Sequence, residues 1–175
     1  AHHVAEQRGG EVESMAWSDL DLEDGWWTIP AEKAKNKLSH RVPLAAMAIA
    51  LLKTLRADAE AQAQKKDGKV SPWVFPSRTK KGEHVANIQK AAQRVKATAE
   101  ELLELEKDSL DFVMHDLRRT AASYMASAGV PRLVISKVLN HVESGVTKVY
   151  DRHSYDAEKR QAMEAWADRL GAIIF

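Results

Sequence analysis

"MHDLRRTAASYMASAG", residues 114–129, sets a histidine and an arginine at the head of an apolar-striped helix. His115 and Arg118 are three positions apart, about one helical turn, so both side chains leave the same face and can converge on one small target. A phosphate group fits that description. Gly129 and Pro131 then separate this helix from a second apolar-striped run, "RLVISKVLNH" (132–141).

On either side of this pair the pattern stays mostly helical. "VANIQKAAQRVKATAEELLE" (85–104) and "SYDAEKRQAMEAWADRL" (154–170) place apolar residues at helical spacing, and Pro43 to about Gln64 is alanine-rich and leucine-striped until "KKDGKVSP" breaks it. Nearer the start, Glu11 opens a short helix. Beyond it, strand-like runs at Trp26 to Ile29 and His40 to Val42, with turn residues Asp24 and Gly25, predict a small antiparallel sheet. The expected class is α+β: mainly α-helical, with a small antiparallel β-sheet near the N-terminus.

The chain has 175 residues, 45% of them hydrophobic, enough for one domain with a full core. It contains no cysteine, which removes disulfide frameworks, thiolate zinc sites and cysteine nucleophiles and is compatible with an intracellular setting. Neither a signal-peptide pattern nor an apolar run of transmembrane length is present. Net charge is only +1, but its distribution is uneven. Basic residues crowd 32–41 and 76–84, whereas acidic ones gather in 19–24 and 99–108. A polarised surface of this kind suits a nucleic-acid partner better than the net charge does, although solvated surface charge gives the same pattern. The abrupt opening "AHHVAEQRGGEVESMAW" has no leading element to pair with, which suggests a piece of a longer protein.

Several polar residues need explaining. Arg8 precedes Glu11 by three positions, Lys35 sits between the two expected strands, and His141 ends a helix nine residues before Tyr150. Each has an ordinary alternative: a surface ion pair for Arg8 and Glu11, a solvated turn charge for Lys35, structural or capping roles for His115 and His141, a core aromatic for Tyr150.

Taken in order, "QRGGEV", "EKAKNKLSHRVPL", "HDLRRTAASYMASAG" and "VLNHVESGVTKVYDRHSYDAEKR" closely resemble the catalytic domain of tyrosine recombinases, in particular phage-type integrases. The resemblance runs from about Gln7 to about Leu170. It implies that Arg8 is the first catalytic arginine, Lys35 the hairpin lysine, His115 and Arg118 the central His-x-x-Arg, His141 the second histidine and Tyr150 the nucleophile. Lys33 and Lys37 share the hairpin turn with Lys35, which is preferred for its distance from "HRVPL". Before His141 the family often has glycine. Asn140 stands there and also tolerates a left-handed helix end. The resemblance further implies a cytoplasmic, bacterial or phage-encoded protein acting on double-stranded DNA at attachment-type sites. The family's DNA-clamping domain is not found in the sequence.

The chemistry explains why such residues would be needed. A phosphodiester repels nucleophiles, and its transition state carries extra charge on the non-bridging oxygens, which Arg8 and Arg118 could meet with planar forks of donors. Glu11 could hold the Arg8 guanidinium in place. Tyr150 would attack phosphorus to give a 3′-phosphotyrosyl enzyme, with His115 accepting its proton or bonding a phosphate oxygen and His141 donating to the phosphate. Lys35 could protonate the departing 5′ oxygen. Because the ester conserves the energy of the broken bond, no cofactor is implied, neither ATP nor metal.

Other readings remain. Residues 115–139 resemble a helix-turn-helix, which would make the chain a non-catalytic DNA-binding module. The same chemistry without a partner duplex would give a type IB topoisomerase-like relaxing enzyme. A metal hydrolase using His115, His141 and His153 lacks regular ligand spacing. In the terminal helix Met163, Trp166 and Leu170 share one side. That side either packs on its own domain or, as in the resembled family, the terminal segment docks on a neighbouring protomer of a homotetramer formed on DNA, the free protein being a monomer.

Overall fold

The two strand-like runs pair with each other and with a short partner. The computed structural model describes residues 8–65, 68–141 and 153–174. Among these, β1 (Leu20–Asp21), β2 (Trp26–Ile29) and β3 (His40–Pro43) form an antiparallel sheet in the order β1-β2-β3. The β2–β3 register sets Trp27 opposite Val42 and Ile29 opposite His40. Trp27, Ile29 and Val42 are buried while Thr28 and Arg41 are exposed, so the period-two alternation fixes which face meets the core. Gly25, at φ +70°, makes the turn into β2, where a Cβ would approach Ile49 Cδ1 to 3.1 Å.

The described residues also form six helices, α1 (Gly9–Glu13), α2 (Ala46–Lys65), α3 (Ile88–Leu102), α4 (Met114–Ser127), α5 (Arg132–Val138) and α6 (Asp156–Ile174), with a single 3₁₀ turn at Trp17–Asp19. Two apolar cores result. Val12 and Met15 pack with Trp27, Ile29, Val42 and Leu52 around the sheet. Met125, Val138, Met163 and Trp166 join α4, α5 and α6 in the second. Met163 and Trp166 are therefore spent within their own domain, with Leu170 packed beside them.

Polar contacts from α6 join the two cores. Lys159, 5% exposed, donates to the Arg41 carbonyl at 2.9 Å and pairs with Asp156 at 2.9 Å, while Asp156 also receives Arg41 at 2.9 Å. Arg160 donates to the Asp24 carbonyl, and the Arg41 and Arg160 guanidinium groups lie 4.0 and 4.5 Å from the Trp26 ring centroid.

Helix ends depart slightly from the sequence pattern, for local reasons. α4 starts at Met114, because the Val113 amide is capped by the Asp116 carboxylate at 2.9 Å. α5 stops at Val138, short of the apolar pattern, because Asn140 takes φ +50°. The amides of Asn140 and His141 then turn back onto the carbonyls of Lys137 and Ser136, a Schellman ending. No helix among the described residues is long and apolar enough to cross a membrane.

Candidate functional site

A helix leaves its last four carbonyls without intrahelical partners. At α5 these belong to Ser136, Lys137, Val138 and Leu139, and all four are satisfied. The Schellman turn takes the first two; His40 from β3 donates Nε2–H to Val138 O at 3.1 Å, and the buried Arg118 guanidinium of α4 donates to Leu139 O. The end of α5, which carries His141 into the open, is thus pinned from the sheet and from α4.

His141 there faces a cleft of about 770 Å³ between the two cores. Arg8, Lys35, His115 and Arg118 line the same cleft, together with the first turn of α3 from Asn87 to Gln89. Five of the six sequence candidates therefore meet in one place. Tyr150, the sixth, lies outside the described residues.

Four elements position the five: α1, the β2–β3 loop, α4 and the end of α5. Arg8 is the N-cap of α1, and its amide donates to Glu11 Oε2 at 3.2 Å while its guanidinium lies 3.4 Å from Glu11 Oε1. Glu11 is only 3% exposed, so the surface-pair alternative does not hold. The Lys35 amide also reaches Glu11 Oε1, at 3.5 Å, which ties the β2–β3 loop to α1. Of the three loop lysines, Lys33 is engaged elsewhere, 2.5 Å from Asp19 and over the Trp73 ring, and Lys35 is the one lining the cleft. His115 lies in the first turn of α4 and Arg118 one turn further, 5% exposed.

Positive charge accumulates here. Partial burial, then the charges of Arg118, Arg8 and His115, hold the His141 imidazole below the usual histidine range. Two helix N-termini, of α3 and α4, add their positive dipole ends to the cleft wall. Such a cleft suits a compact anion, with donors on several sides. His153 is engaged elsewhere: its ring nitrogen meets Glu158 at 2.9 Å. Among the described residues no group of three or more histidines or carboxylates is disposed to hold a metal ion.

Sequence reasoning missed His40. It is 7% exposed, and burial pushes its pKa down to about 4, the charges of Lys159 and Arg118 adding to the effect against the opposing Val138 hydrogen bond and Glu11. The signal was present in the strand itself, since His40 occupies the same inward-facing series as Val42.

The model of the phage integrase family matches residues 4–157. The chain belongs to the phage integrase family. Similar proteins include the prophage integrase IntA of Escherichia coli K12, 29% identical over 168 residues, covering 94% of this chain and 36% of that protein. The integrase of Shigella phage Sf6 is 28% identical over 164 residues, covering 93% of this chain and 38% of that protein. This phage integrase chain thus spans somewhat more than a third of the length of these relatives. Among solved structures, the XerA recombinase superposes with a TM-score of 0.59 at 17% identity over 91% of this chain and 53% of its own. The integrase of mycobacterium phage Brujita gives 0.58 at 18% identity over 99% and 54%. At these identities the likeness is one of fold, and it agrees with the α+β class expected from the sequence.

Proposed function

We propose that this phage integrase chain is the catalytic domain of a site-specific DNA recombinase that cuts and rejoins strands through Tyr150. The observation that carries the reading is the convergence of Arg8, Lys35, His115, Arg118 and His141 on one cleft. Arg8 and Arg118 grip the non-bridging oxygens of the scissile phosphate, and His141 donates a further hydrogen bond. Tyr150 Oη attacks phosphorus as its proton passes to His115. The P–O5′ bond breaks, and Lys35 delivers the proton that the departing 5′ oxygen requires. A 5′-hydroxyl from another duplex reverses the step and completes strand transfer in integration or excision, without ATP or metal.

The same reading makes the chain one part of a longer, cytoplasmic protein whose preceding domain clamps double-stranded DNA at attachment-type sites. On DNA it forms a homotetramer through its C-terminal segment and is a monomer when free. The helix-turn-helix alternative is less well supported, since Val134, Ile135 and Val138 of the seven-residue α5 are buried in the second core.

The test is chemical. After reaction with a duplex spanning a candidate attachment site and nuclease digestion, the full-length protein should yield a peptide containing Tyr150 esterified to a 3′-phosphate. Exchanged strands between two duplexes distinguish a recombinase from a relaxing enzyme, which would change only the topology of a circle. Cleavage with the phosphate on any other residue overturns the reading.

A further inference from the structure

The Lys35 side chain makes no hydrogen bond or ion pair among the described residues, so its position is set by the loop that carries it. On one side that loop is anchored: Ala34 is 1% exposed in the first core, and its amide donates to Pro30 O at 3.0 Å. On the other side the neighbour is Asn36. Its Nδ2 donates to Asn140 Oδ1 at 2.7 Å, across 104 positions of sequence, and Asn140 immediately precedes His141.

The amide orientations follow from the inventory of donors. Asn36 Oδ1 accepts from the Leu38 amide at 3.1 Å, which leaves Nδ2 to face Asn140, and Asn140 must then present its oxygen. Lys37, at φ +58°, completes the turn. Asn140 itself occupies the left-handed region, φ +50°, where glycine is the residue with least strain. Ending the helix would be served as well by glycine. The asparagine adds an amide whose Nδ2 is buried with no hydrogen-bond partner among the described residues, a burden for folding that glycine would not bring. Its use is the oxygen that meets Asn36.

We propose that the Asn36–Asn140 hydrogen bond is a latch that holds the Lys35 loop against the His141 turn, both asparagines being positioning residues for proton delivery by Lys35. The inference rests on the strand-cleavage function proposed above. His40, whose ring joins β3 to Val138 O, is the fixed attachment of the same hairpin to the same turn. Asn36 is the releasable one, because it is half-buried in a loop whose neighbouring residues 37–39 are exposed, and it depends on one neutral hydrogen bond. With the latch open, residues 36–39 retain their local turn bonds and Lys35 loses its register with the phosphate held by Arg8 and Arg118.

The test separates proton delivery from every other contribution. Two duplexes with a candidate attachment site are compared, one with the ordinary 5′ oxygen at the scissile phosphate and one with a 5′ sulfur, which leaves as a thiolate without needing a proton. Asn140→Gly keeps the left-handed ending and removes the amide; Asn36→Ala removes its partner and, with it, the acceptor of the Leu38 amide. In the full-length protein each should slow cleavage of the oxygen substrate by about 10- to 100-fold, the scale of a misplaced catalytic group. Each should cleave the sulfur substrate at the rate of the unchanged protein, as should Lys35→Ala. The double variant should be no slower than Asn36→Ala alone. Backbone amide exchange across 35–39 should rise in Asn140→Gly while α4 stays protected. Asn140→Gly cleaving the oxygen substrate at full rate, or slowed equally on both substrates, overturns the latch, and so does unchanged exchange in the loop. If the unchanged protein cleaves neither substrate, the proposed function fails, and the exchange measurement alone decides the latch.

Discussion

One carboxylate sets the position of the first arginine. Glu11 Oε2 accepts the Arg8 amide at 3.2 Å and Glu11 Oε1 lies 3.4 Å from the Arg8 guanidinium, all from a side chain that is almost completely buried. The same Oε1 receives the Lys35 amide. Glu11 therefore ties the start of α1 to the loop of the candidate general acid.

Removing that carboxylate should affect stability and cleavage together. Glu11→Ala leaves part-buried donors without an acceptor and is expected to lower unfolding stability by about 1 kcal/mol, the low end of the cost of such groups. Urea unfolding measures it. Glu11→Gln, which keeps an acceptor oxygen, should recover most of the stability.

His40 predicts an acid limb in the stability profile. Its folded pKa, about 4, lies below the ordinary 6.5, so the unfolded chain binds the extra proton between those values. Stability is fully present above about pH 6.5 and falls as pH drops towards 4, by a total on the order of 3 kcal/mol from this group. Chemical denaturation from pH 7 to pH 4 should show the decline, and His40→Gln should flatten it. An identical decline in the variant would assign it to other groups.

His141 would report on an anion bound in the proposed phosphate site. Partial burial and the charges of Arg118, Arg8 and His115 keep it neutral at pH 7. A bound phosphate offsets those charges, so titration of the imidazole by NMR should give a higher pKa with inorganic phosphate or duplex DNA present than without. Arg118→Lys, which keeps the charge, should leave the free-state value low. An imidazole unmoved by saturating duplex would place the phosphate elsewhere.

Arg118 joins structure to chemistry. Its guanidinium closes the end of α5 at Leu139 O, so Arg118→Ala orphans a carbonyl as well as removing a donor from the proposed phosphate site. Cleavage should fall by at least about 10²- to 10³-fold, the usual cost of one preorganised donor, with a modest loss of stability. Circular dichroism and the cleavage rate on one preparation distinguish this from unfolding.

Local pattern carried much of this architecture into the sequence. Trp26 to Ile29 and the "HRVPL" run betray their strands by alternation and β-propensity, and the helices by spacing, because those signals are properties of neighbouring residues. The convergence of Arg8, Lys35, His115, Arg118 and His141 was legible only through the resemblance of the motifs taken together. What stayed hidden is long-range: His40 meeting Val138 O, Asn36 meeting Asn140, and Lys159 meeting Arg41 O join residues 98, 104 and 118 positions apart. No periodicity encodes such partners. In the sequence Lys35 is preferred over Lys33 for its distance from "HRVPL"; the pairing of Lys33 with Asp19, fourteen residues earlier, is not readable there.

Tyr150 is proposed to attack DNA without a metal. The most direct measurement incubates the full-length protein with a nicked, end-labelled duplex carrying a candidate attachment site in EDTA, then separates the denatured products on a gel beside Tyr150→Phe. A covalent protein–DNA band present in the unchanged protein and lost in the variant is the predicted result. A band that persists in Tyr150→Phe, or cleavage that appears only when a divalent cation is supplied, would contradict it.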